Sequence, residues 1–411
     1  MDFFVVASYL VIGLLSIYNI VSSLKYEFSL YKIHGYFFLI FMFLAPLYQY
    51  SIQSFPWGGI MEDELIIKVN ILIICWQFIY IISYLLTSKV KHEGVSLPVN
   101  NMVILVGFLF TIVSSVITVI TVGGISNLFS RVDTYQMVNQ TETLFLSKSV
   151  RPIPIIYLGY LYTLISNCDK KNEKMLRVLF YLVLIIGIAT NFPTAVSRYH
   201  AAAVYIGIIL IFIKRKLSFD ILFLTGFIFV FPTLELFRHS SLMEVLDNFS
   251  WQIIDFSTAH FDAYSMILRV VIYISNEGIT YGKQLLGAIL FFVPRTMWPS
   301  KPVGTGMFVG ESLGLPFLNI SAPIVSEGII NFGLIATFWV PVFIGYFTKK
   351  IDSRYWLFSS TARYINVYYV FLIGFFFFIL RGDFLSSYSY TVAFLFPLVV
   401  LFVFSKVKSL K

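Results

Sequence analysis

The chain has 411 residues, of which 58% are apolar and only 12% are charged, and it carries a formal net charge of +8. Soluble domains usually carry about a quarter charged residues, so this composition excludes an ordinary soluble enzyme and indicates a membrane protein. The two cysteines are Cys75, in an apolar run, and Cys168, in a short charged loop, and they predict neither a structural disulfide nor a metal-ligand cluster.

Apolar runs long enough to cross a bilayer recur along the chain, since a transmembrane helix needs roughly 20 mostly apolar residues. Residues 3–22 lack a basic amino-terminal region and a small-residue cleavage site, so they are predicted to form the first span. The pattern predicts an all-α polytopic membrane protein with about 11 transmembrane helices, and about 10–13 are compatible with it. The predicted spans are 3–22, 33–51, 67–87, 101–121, 151–166, 178–193, 200–213, 218–235, 333–348, 365–380 and 385–404.

Most of the 29 basic residues lie in short connections on one side of these spans, and many of them are lysines. The positive-inside rule places that side in the cytoplasm, with the N-terminus outside and the C-terminus inside. The net charge is then a topology signal, and nucleic acid is not expected as a partner. The remaining basic residues are mostly arginines and fall on the outer side: Lys68, Arg131, Lys148, Arg151, Arg198, Arg238, Arg269, Lys283, Arg295, Lys301 and Arg381.

Outer arginines indicate recognition of phosphate or carboxylate groups, because the planar guanidinium donates two parallel hydrogen bonds. Two outer connections are longer than a turn: residues 122–150, which contain Arg131, and residues 237–331, which contain Arg238. Loops of such length usually carry function or structure of their own. No internal repeat or low-complexity linker is evident, so residues 1–411 are predicted to form a single integral membrane domain.

The large outer loop is predicted to contain helices. Residues 246–274 show apolar residues at roughly helical spacing, which favours an interfacial or packed helix. Residues 285–293 are apolar but too short to cross the membrane, so they are expected to lie in the interface or to re-enter.

The most distinctive run is FFVPRTMWPSKPVGTGMFVGESLGLP, residues 291–316. Pro294, Pro299 and Pro302 forbid a regular helix, and the glycines that follow are expected to prolong the irregular backbone. Such a backbone is costly in lipid unless it is buried in protein or lines a wet cavity. Arg295 and Lys301 suit a diphosphate, and Trp298 offers a flat face for a sugar ring. The alternative is a snorkelling Arg/Lys pair beside an interfacial tryptophan.

The segment VPRTMWPSKP, followed by SEGIINFG, resembles the signature of the bacterial oligosaccharide repeat-unit polymerases, the Wzy-type O-antigen polymerases. The family pattern is approximately Pro-Arg-x-x-Trp-Pro-x-Lys-Pro, then a Glu near an Asn-Phe-Gly. Ser197-Arg198 resembles a Ser-Arg pair at the outer end of a middle span in such proteins, and Arg131 fits more loosely. The matching positions are Pro294, Arg295, Trp298, Pro299, Lys301, Pro302, Glu327, Asn331, Phe332 and Gly333.

The resemblance implies a fold similar to GT-C-like membrane glycosyltransferases, in the bacterial inner membrane with the active face on the periplasmic side. It implies transfer of a growing glycan from undecaprenyl diphosphate to the terminal sugar of another lipid-linked repeat unit. The product would be the O-antigen of lipopolysaccharide, a capsule or an exopolysaccharide. A chain-length regulator in the membrane is a candidate further partner.

The same resemblance assigns roles to individual residues. Glu327 is expected to act as general base and Arg295 to act with it at the reacting centre, whereas a structural ion pair between Glu327 and an arginine is the alternative. No Asp-x-Asp motif is found on the outer face, so a metal-independent reaction without cofactors is expected. Competitors for the base are His239, His260 and Asp262. The residues expected to bind the diphosphate or sugar are Arg131, Arg198, Arg238, Lys301 and Trp298.

Two other functions fit parts of the sequence. An O-antigen ligase would share the arginines and the large outer loop. A flippase or transporter for lipid-linked sugars predicts charges along mid-membrane faces and two similar halves, whereas most charges here fall at span ends. Arg381 and Asp383, at an outer helix end, are predicted to form a local ion pair.

Overall fold

The computed structural model describes residues 2–59, 61–91, 94–98, 101–129, 148–167, 170–212, 218–234, 236, 247 and 249–409. Regular structure within these residues is helical, and paired extended backbone is limited to an isolated bridge between Ser96 and Arg363. The predicted all-α fold class is therefore confirmed.

The helices follow one another along the chain with short connections, apart from the stretches outside the described residues. The first eight are α1 Phe3–Ser22, α2 Leu30–Ser51, α3 Asp63–Leu86, α4 Asn101–Thr121, α5 Ile153–Ile165, α6 Lys170–Thr190, α7 Arg198–Phe212 and α8 Phe219–Thr233. The others are α9 Ala263–Glu277, α10 Lys283–Ile289, α11 Thr305–Ser312, α12 Ile324–Phe332, α13 Ala336–Phe358, α14 Tyr364–Arg381 and α15 Phe384–Ser409.

Among the described residues, five helices are long and apolar enough to cross a membrane, namely α1, α2, α3, α4 and α14. Shorter apolar helices are α7, α8 and the Phe384–Val400 part of α15. Only 17% of the apolar stretch of α4 is buried, as expected for a helix whose side chains face lipid, whereas 78% of that of α2 is buried. These helices place the chain among helical membrane proteins.

Several spans predicted from hydropathy coincide with helices. The spans 3–22 and 101–121 have the same bounds as α1 and α4, and 365–380 lies within α14. The start of α1 is set by Asp2, whose carboxylate accepts hydrogen bonds from the amides of Phe4 and Val5 at 2.8 and 3.1 Å. Such a cap satisfies amides that have no partner within the helix.

The chain divides into two compact units. Unit 1 comprises Met1–Val90, Asp255–Ser353 and Phe376–Ser389, and unit 2 comprises Lys91–Ile254, Arg354–Phe375 and Tyr390–Lys411. The single membrane domain expected from the sequence stays a prediction.

The core of unit 1 is aromatic. Phe41 of α2 stacks on Phe261 with ring centroids 5.3 Å apart and meets Phe377 edge-on at 5.9 Å. Offset and edge-on aromatic pairs add to the stabilisation that burial of their apolar area gives. This core lies directly beside the loop that precedes α9.

Unit 2 packs its helices closely through glycines. A β-carbon at Gly207 would clash with the ring of Phe371, and one at Gly374 would clash with the backbone of Ala203. Small residues at such positions let helix backbones approach and are common between helices of membrane proteins.

The helix predicted over residues 246–274 is wrong in its first half. The observed helix is α9, Ala263–Glu277, and residues 249–255 have no regular structure. Asp255 explains the difference, because its carboxylate accepts hydrogen bonds from the amide and hydroxyl of Ser257 and so favours a local turn. Trp251 is 63% exposed in the structure, so its helical spacing does not reflect a buried face.

The irregular backbone predicted for residues 291–316 is confirmed for 291–304 and 313–316 and is wrong for 305–312, which form α11. Gly306 lies inside that helix and packs against Ile320, whose carbonyl oxygen would clash with a β-carbon there. The glycine therefore permits close packing and does not end the helix. Residues 285–293, predicted to lie in the interface, overlap the short helix α10.

Candidate functional site

The proline-rich loop of unit 1, residues 291–302, is closed by Lys301. Its ammonium donates hydrogen bonds to the carbonyls of Phe291 at 2.7 Å and Val293 at 2.9 Å, and the side chain is buried. Burial, and then the neighbouring charge of Arg295, lower the pKa of Lys301. Two of the three ammonium N–H groups of Lys301 therefore hold the loop. Lys301 was predicted to bind diphosphate, but in the structure it supports the loop that carries Arg295.

Arg295 lies exposed on this loop. Its Nη1 donates to the carbonyl of Lys301 at 2.7 Å, which fixes one edge of the guanidinium. Trp298 is half-buried, and its indole N–H donates to Ser300 Oγ at 3.2 Å. The structure thus brings three sequence-predicted residues together on one loop, with Arg295 the most accessible of them.

The loop runs directly into a pair of carboxylates, the buried Glu327 and the half-buried Asp383. Pro302 packs on Gly287, where a β-carbon would lie 3.0 Å from the proline ring. Two residues later, Gly304 packs on Asp383, where a β-carbon would lie 2.5 Å from the carboxylate Oδ1. The absence of a side chain at residue 304 is therefore what allows the Asp383 carboxylate to reach the start of α11.

Asp383 joins the N-terminal ends of two helices. Its Oδ2 accepts a hydrogen bond from the amide of Gly306 in α11 at 3.0 Å. Its Oδ1 accepts from the amide of Ser386 in α15 at 3.3 Å. Burial raises the pKa of Asp383, and these amides oppose that rise because they stabilise the charged form.

Glu327 is the second member of the pair and lies in the first turn of α12, 4% exposed. Its side chain accepts a hydrogen bond from Asn331 Nδ2 at 3.3 Å, and the same amide donates to the Glu327 carbonyl at 2.8 Å. Burial, and then the charge of Asp383, raise the pKa of Glu327 to about 8. Two carboxylates whose charges act on each other away from bulk water favour one retained proton over two charges.

The ion pair predicted as an alternative role for Glu327 is not found in the described part of the chain. Ion pairs in that part include Arg177 with Glu173 and Arg381 with Asp262. Glu327 is held instead by the amide of Asn331, whose own Oδ1 accepts from the amide of Leu285 at 3.1 Å. Glu327 and Asn331 of the sequence pattern thus bind each other within one turn of α12.

Asp262, a competitor for the role of base, is fully engaged in unit 1. Its Oδ1 accepts from Arg381 at 2.8 Å and from Ser321 Oγ at 2.6 Å. Its Oδ2 accepts from the Trp57 indole at 3.0 Å and from the Ser321 amide at 3.2 Å. Each oxygen of Asp262 accepts two hydrogen bonds, so neither is open to a proton from a substrate. Asp262 is therefore not the base, and it holds the surrounding loops together.

The local pair predicted between Arg381 and Asp383 is wrong. Arg381 ends α14 and reaches Asp262 and the carbonyl of His260 at 2.8 Å, whereas Asp383 caps α11 and α15. The prediction assumed that residues two apart in the sequence meet, but the side chains of residues i and i+2 point in different directions around a helix end. His260 contributes its backbone carbonyl to this contact, and His239 lies outside the described residues.

The other predicted arginines are placed differently. Arg198 begins α7 in unit 2, and its guanidinium lies over the ring of Phe231, 5.0 Å from the centroid. Arg131 and Arg238 lie outside the described residues. Within unit 1 the candidate site therefore consists of Arg295, Lys301 and Trp298 on the loop and the Glu327–Asp383 pair at its end.

Asp383 is the functional candidate that sequence reasoning missed. An aspartate directly before an apolar run is the usual signal for a helix cap, and Asp383 does precede α15. Its reach to Gly306, 77 residues away, leaves no trace in local sequence pattern.

In the described part of the chain, no group of three or more His, Cys, Asp or Glu side chains is placed to hold a metal ion. Comparisons with protein-family models, curated proteins and solved structures find no match to this chain. The fold and the site together define a helical membrane protein in which a loop with an exposed arginine leads to the Glu327–Asp383 pair.

Proposed function

We propose that this chain is a membrane glycosyltransferase that polymerises oligosaccharide repeat units linked to undecaprenyl diphosphate. It transfers the growing glycan from its carrier to the terminal sugar of another lipid-linked unit, without a metal ion or cofactor. The product is O-antigen, capsule or exopolysaccharide, and the proposed family is that of the Wzy-type polymerases. A chain-length regulator in the membrane is a proposed partner.

The proposed topology has about eleven spans in the bacterial inner membrane, with the loop of Arg295 on the periplasmic side. Its support is the set of five long apolar helices, the three shorter apolar ones and the lysine-rich connections on one side. The proposed architecture is that of GT-C-like membrane glycosyltransferases, with helices in the large outer connection.

One observation carries the proposal: the exposed Arg295 lies on a loop that ends at the Glu327–Asp383 pair. Residues 301 and 306 are joined by five peptide units, so the carbonyl that holds Arg295 lies within about 18 Å of the amide that Asp383 binds. This upper bound leaves room for Arg295 and the carboxylates to flank one diphosphate-linked sugar. Arginine and carboxylate can therefore act on opposite ends of one reacting group.

The chemistry needs a base and a diphosphate ligand. An acceptor hydroxyl attacks the anomeric carbon of the donor, a new carbon–oxygen bond forms, and the bond from that carbon to the diphosphate oxygen breaks. The hydroxyl proton passes to Glu327 in the minor population in which this carboxyl is ionised, and undecaprenyl diphosphate leaves with its charge stabilised by Arg295. The raised pKa of Glu327 makes its ionised form a stronger base than an ordinary glutamate.

The remaining predicted residues take supporting roles in this proposal. Lys301 holds the loop, and Trp298 offers its ring face to a sugar. Arg198, Arg131 and Arg238 stay proposed ligands of the diphosphate or of acidic sugars.

The runner-up is an O-antigen ligase, which would use the same arginines and the same leaving group and would differ in its acceptor, a lipid A core. The alternative of another class is a flippase for lipid-linked sugars. The carboxylate pair favours an enzyme over a flippase, because a base of raised pKa has a direct use in glycosyl transfer.

Deletion of the gene, followed by gel analysis of surface glycan, tests the proposal. A polymerase mutant should retain core that carries one repeat unit, whereas a ligase mutant should retain bare core with polymer still on its carrier. Complementation with the wild-type gene should restore the ladder. An intact ladder after deletion, in a strain without a second such gene, would exclude both enzymes.

A further inference from the structure

Unit 2 contains a buried polar cluster, formed by Ser149, Arg151, Ser197 and His200, that is separate from the residues used above. Ser149 is 6% exposed and His200 is 4% exposed. Four atoms, namely Ser149 Oγ, Arg151 Nη2, Ser197 Oγ and His200 Nδ1, are buried and have no hydrogen-bond partner among the described residues. Buried polar groups nearly always have a partner, so such a concentration indicates a missing ligand.

Asn191 links the two sides of the buried polar cluster. Its Nδ2 donates to the carbonyl of Arg151 at 3.1 Å, and its Oδ1 faces His200 Nε2 at 3.3 Å. Arg151 also donates from Nε to the carbonyl of Thr190 at 2.6 Å. The guanidinium is thus oriented by its Nε, and Nη2 is left for another acceptor.

The electrostatic setting of the cluster is positive. The charges of Arg151 and Lys148 both act on His200, and Lys148 lies over the ring of Tyr390, 4.2 Å from the centroid. Arg151 forms no ion pair with a carboxylate of the described residues. A buried guanidinium without a counter-charge is costly, and a bound anion removes that cost.

Helix α7 adds to this field. It begins at Arg198 and has 15 residues, so its first turn, which contains His200, carries the partial positive charge of a helix N-terminus. Together with the unpartnered buried side chains, this geometry suits an anion with several acceptor oxygens.

The hydrogen bonds of Asn191 also fix the role of His200. Because Nδ2 of Asn191 donates to carbonyls, its Oδ1 is an acceptor, and the facing Nε2 of His200 must carry the proton. In the neutral ring Nδ1 is then an acceptor, which suits a hydroxyl of the ligand.

We propose that the buried polar cluster of unit 2 binds a phosphate or diphosphate group, with Arg151 and the two serine hydroxyls donating to its oxygens, and with His200 accepting from a hydroxyl where the group carries one. The site does not depend on polymerase activity, because it is defined by donors, charge and burial in unit 2 alone. The bound group can belong to a prenyl-linked diphosphate, to a free phosphate or to a phospholipid headgroup, which share this chemistry.

The test uses the full chain in phosphatidylcholine nanodiscs and measures binding of inorganic pyrophosphate and of farnesyl diphosphate by titration calorimetry. Arg151→Lys keeps the charge and removes the Nη2 donor, so we expect binding at least about tenfold weaker. Ser149→Ala removes one hydroxyl with little change in shape, so we expect binding weaker by roughly threefold to tenfold. Arg177→Lys, on the exposed face of α6, is the matched control and should bind as the wild type does.

The probes separate the sources of the phosphate. Saturable binding of both compounds assigns the site to the diphosphate itself, and binding of farnesyl diphosphate alone assigns it to a prenyl-linked one. Competition by nanodiscs that contain phosphatidylglycerol assigns it to a lipid headgroup. The proposal is wrong if the wild type binds none of these saturably, or if Arg151→Lys and Ser149→Ala, with unchanged melting temperatures, both bind within twofold of the wild type.

Discussion

Glu327 and Asp383 lie close enough in unit 1 for the charge of Asp383 to raise the pKa of the Glu327 carboxyl. The amides of Gly306 and Ser386 donate to Asp383, whereas Glu327 accepts from Asn331 Nδ2 at 3.3 Å and is also stabilised in its charged form by the amide of Phe384. Burial and the charge of Asp383 favour the protonated form of Glu327, and the amides around Asp383 favour the charged form of Asp383. This division gives the two carboxylates different roles.

The first prediction concerns the stability of the wild type and of Glu327→Gln as pH changes. Because the folded-state pKa of Glu327 is raised to about 8, the protonated form stabilises the fold below its unfolded pKa, and that contribution is lost as pH rises through about 8. Glu327→Gln should therefore melt on the order of 5 °C higher than the wild type at pH 9 and close to it at pH 5. Thermal unfolding in detergent measures this.

Glu311→Gln is the control, since Glu311 is exposed on the neighbouring helix α11. Its melting curve should follow the wild type at both values of pH. A melting temperature of Glu327→Gln that is below the wild type at pH 9 would show that the folded protein needs the ionised carboxylate.

The second prediction concerns Asp383. Asp383→Asn keeps an oxygen that can accept from Gly306 and removes the charge that acts on Glu327, so the pKa of Glu327 should fall. The loss of stability with rising pH should then be smaller and should be complete at lower pH than in the wild type. Asp383→Ala removes the cap as well and should cost roughly a further 1–2 kcal/mol of unfolding free energy.

Thermal melting across pH compares these variants with Asp255→Asn. Asp255 is exposed and accepts only from Ser257 within its own turn, so its amide variant should leave the pH profile unchanged. An unchanged pH profile in Asp383→Asn would show that the charge of Asp383 does not act on Glu327, and it would contradict this prediction.

The third prediction concerns Lys301. Lys301→Met removes the donor to the carbonyls of Phe291 and Val293, and each unpartnered buried carbonyl costs roughly 1–3 kcal/mol. The loop should open, so limited trypsin digestion should cleave after Arg295 several times faster than in the wild type. Mass spectrometry of the fragments measures the rate, and Lys283→Met, at an exposed position on α10, should leave it unchanged. Equal cleavage rates in Lys301→Met and wild type would contradict the supporting role.

The fourth prediction contrasts a buried ion pair with an exposed one. Asp262→Asn leaves Arg381 without its carboxylate and should cost about 3–5 kcal/mol of unfolding free energy. Glu173→Gln breaks the exposed pair with Arg177 on α6 and should cost less than about 1 kcal/mol. Denaturant unfolding of both variants measures the difference, and similar losses would contradict the account of Asp262 as a buried organiser.

The sequence predicts the membrane class and several helices well, because a long apolar run of transmembrane length leaves few alternatives. The bounds of α1 and α4 follow from hydropathy alone. The region after residue 246 could not be predicted as well, since its apolar spacing suits a helix while Asp255 favours a turn through its side-chain hydrogen bonds. The hydrogen bonds of the Asp255 side chain outweighed the helical spacing of the apolar residues.

The candidate site was predictable only in part. Arg295, Trp298, Lys301 and Glu327 stand out from the proline-rich run and the motif that follows it. The supporting position of Lys301 and the partnership of Glu327 with Asp383 depend on contacts between distant parts of unit 1. Such contacts depend on the tertiary fold, which a single sequence does not reveal.

The most direct test of the proposed polymerase uses purified protein in nanodiscs and one kind of undecaprenyl-diphosphate-linked repeat unit. The wild type should form products of two or more units and release one undecaprenyl diphosphate per new bond, as read by gel and mass spectrometry. Arg295→Ala and Glu327→Gln should lose on the order of a hundredfold or more in rate, whereas the exposed control Arg177→Ala should not. Folded wild-type protein that forms no product longer than one unit, or Arg295→Ala at the wild-type rate, would contradict the account.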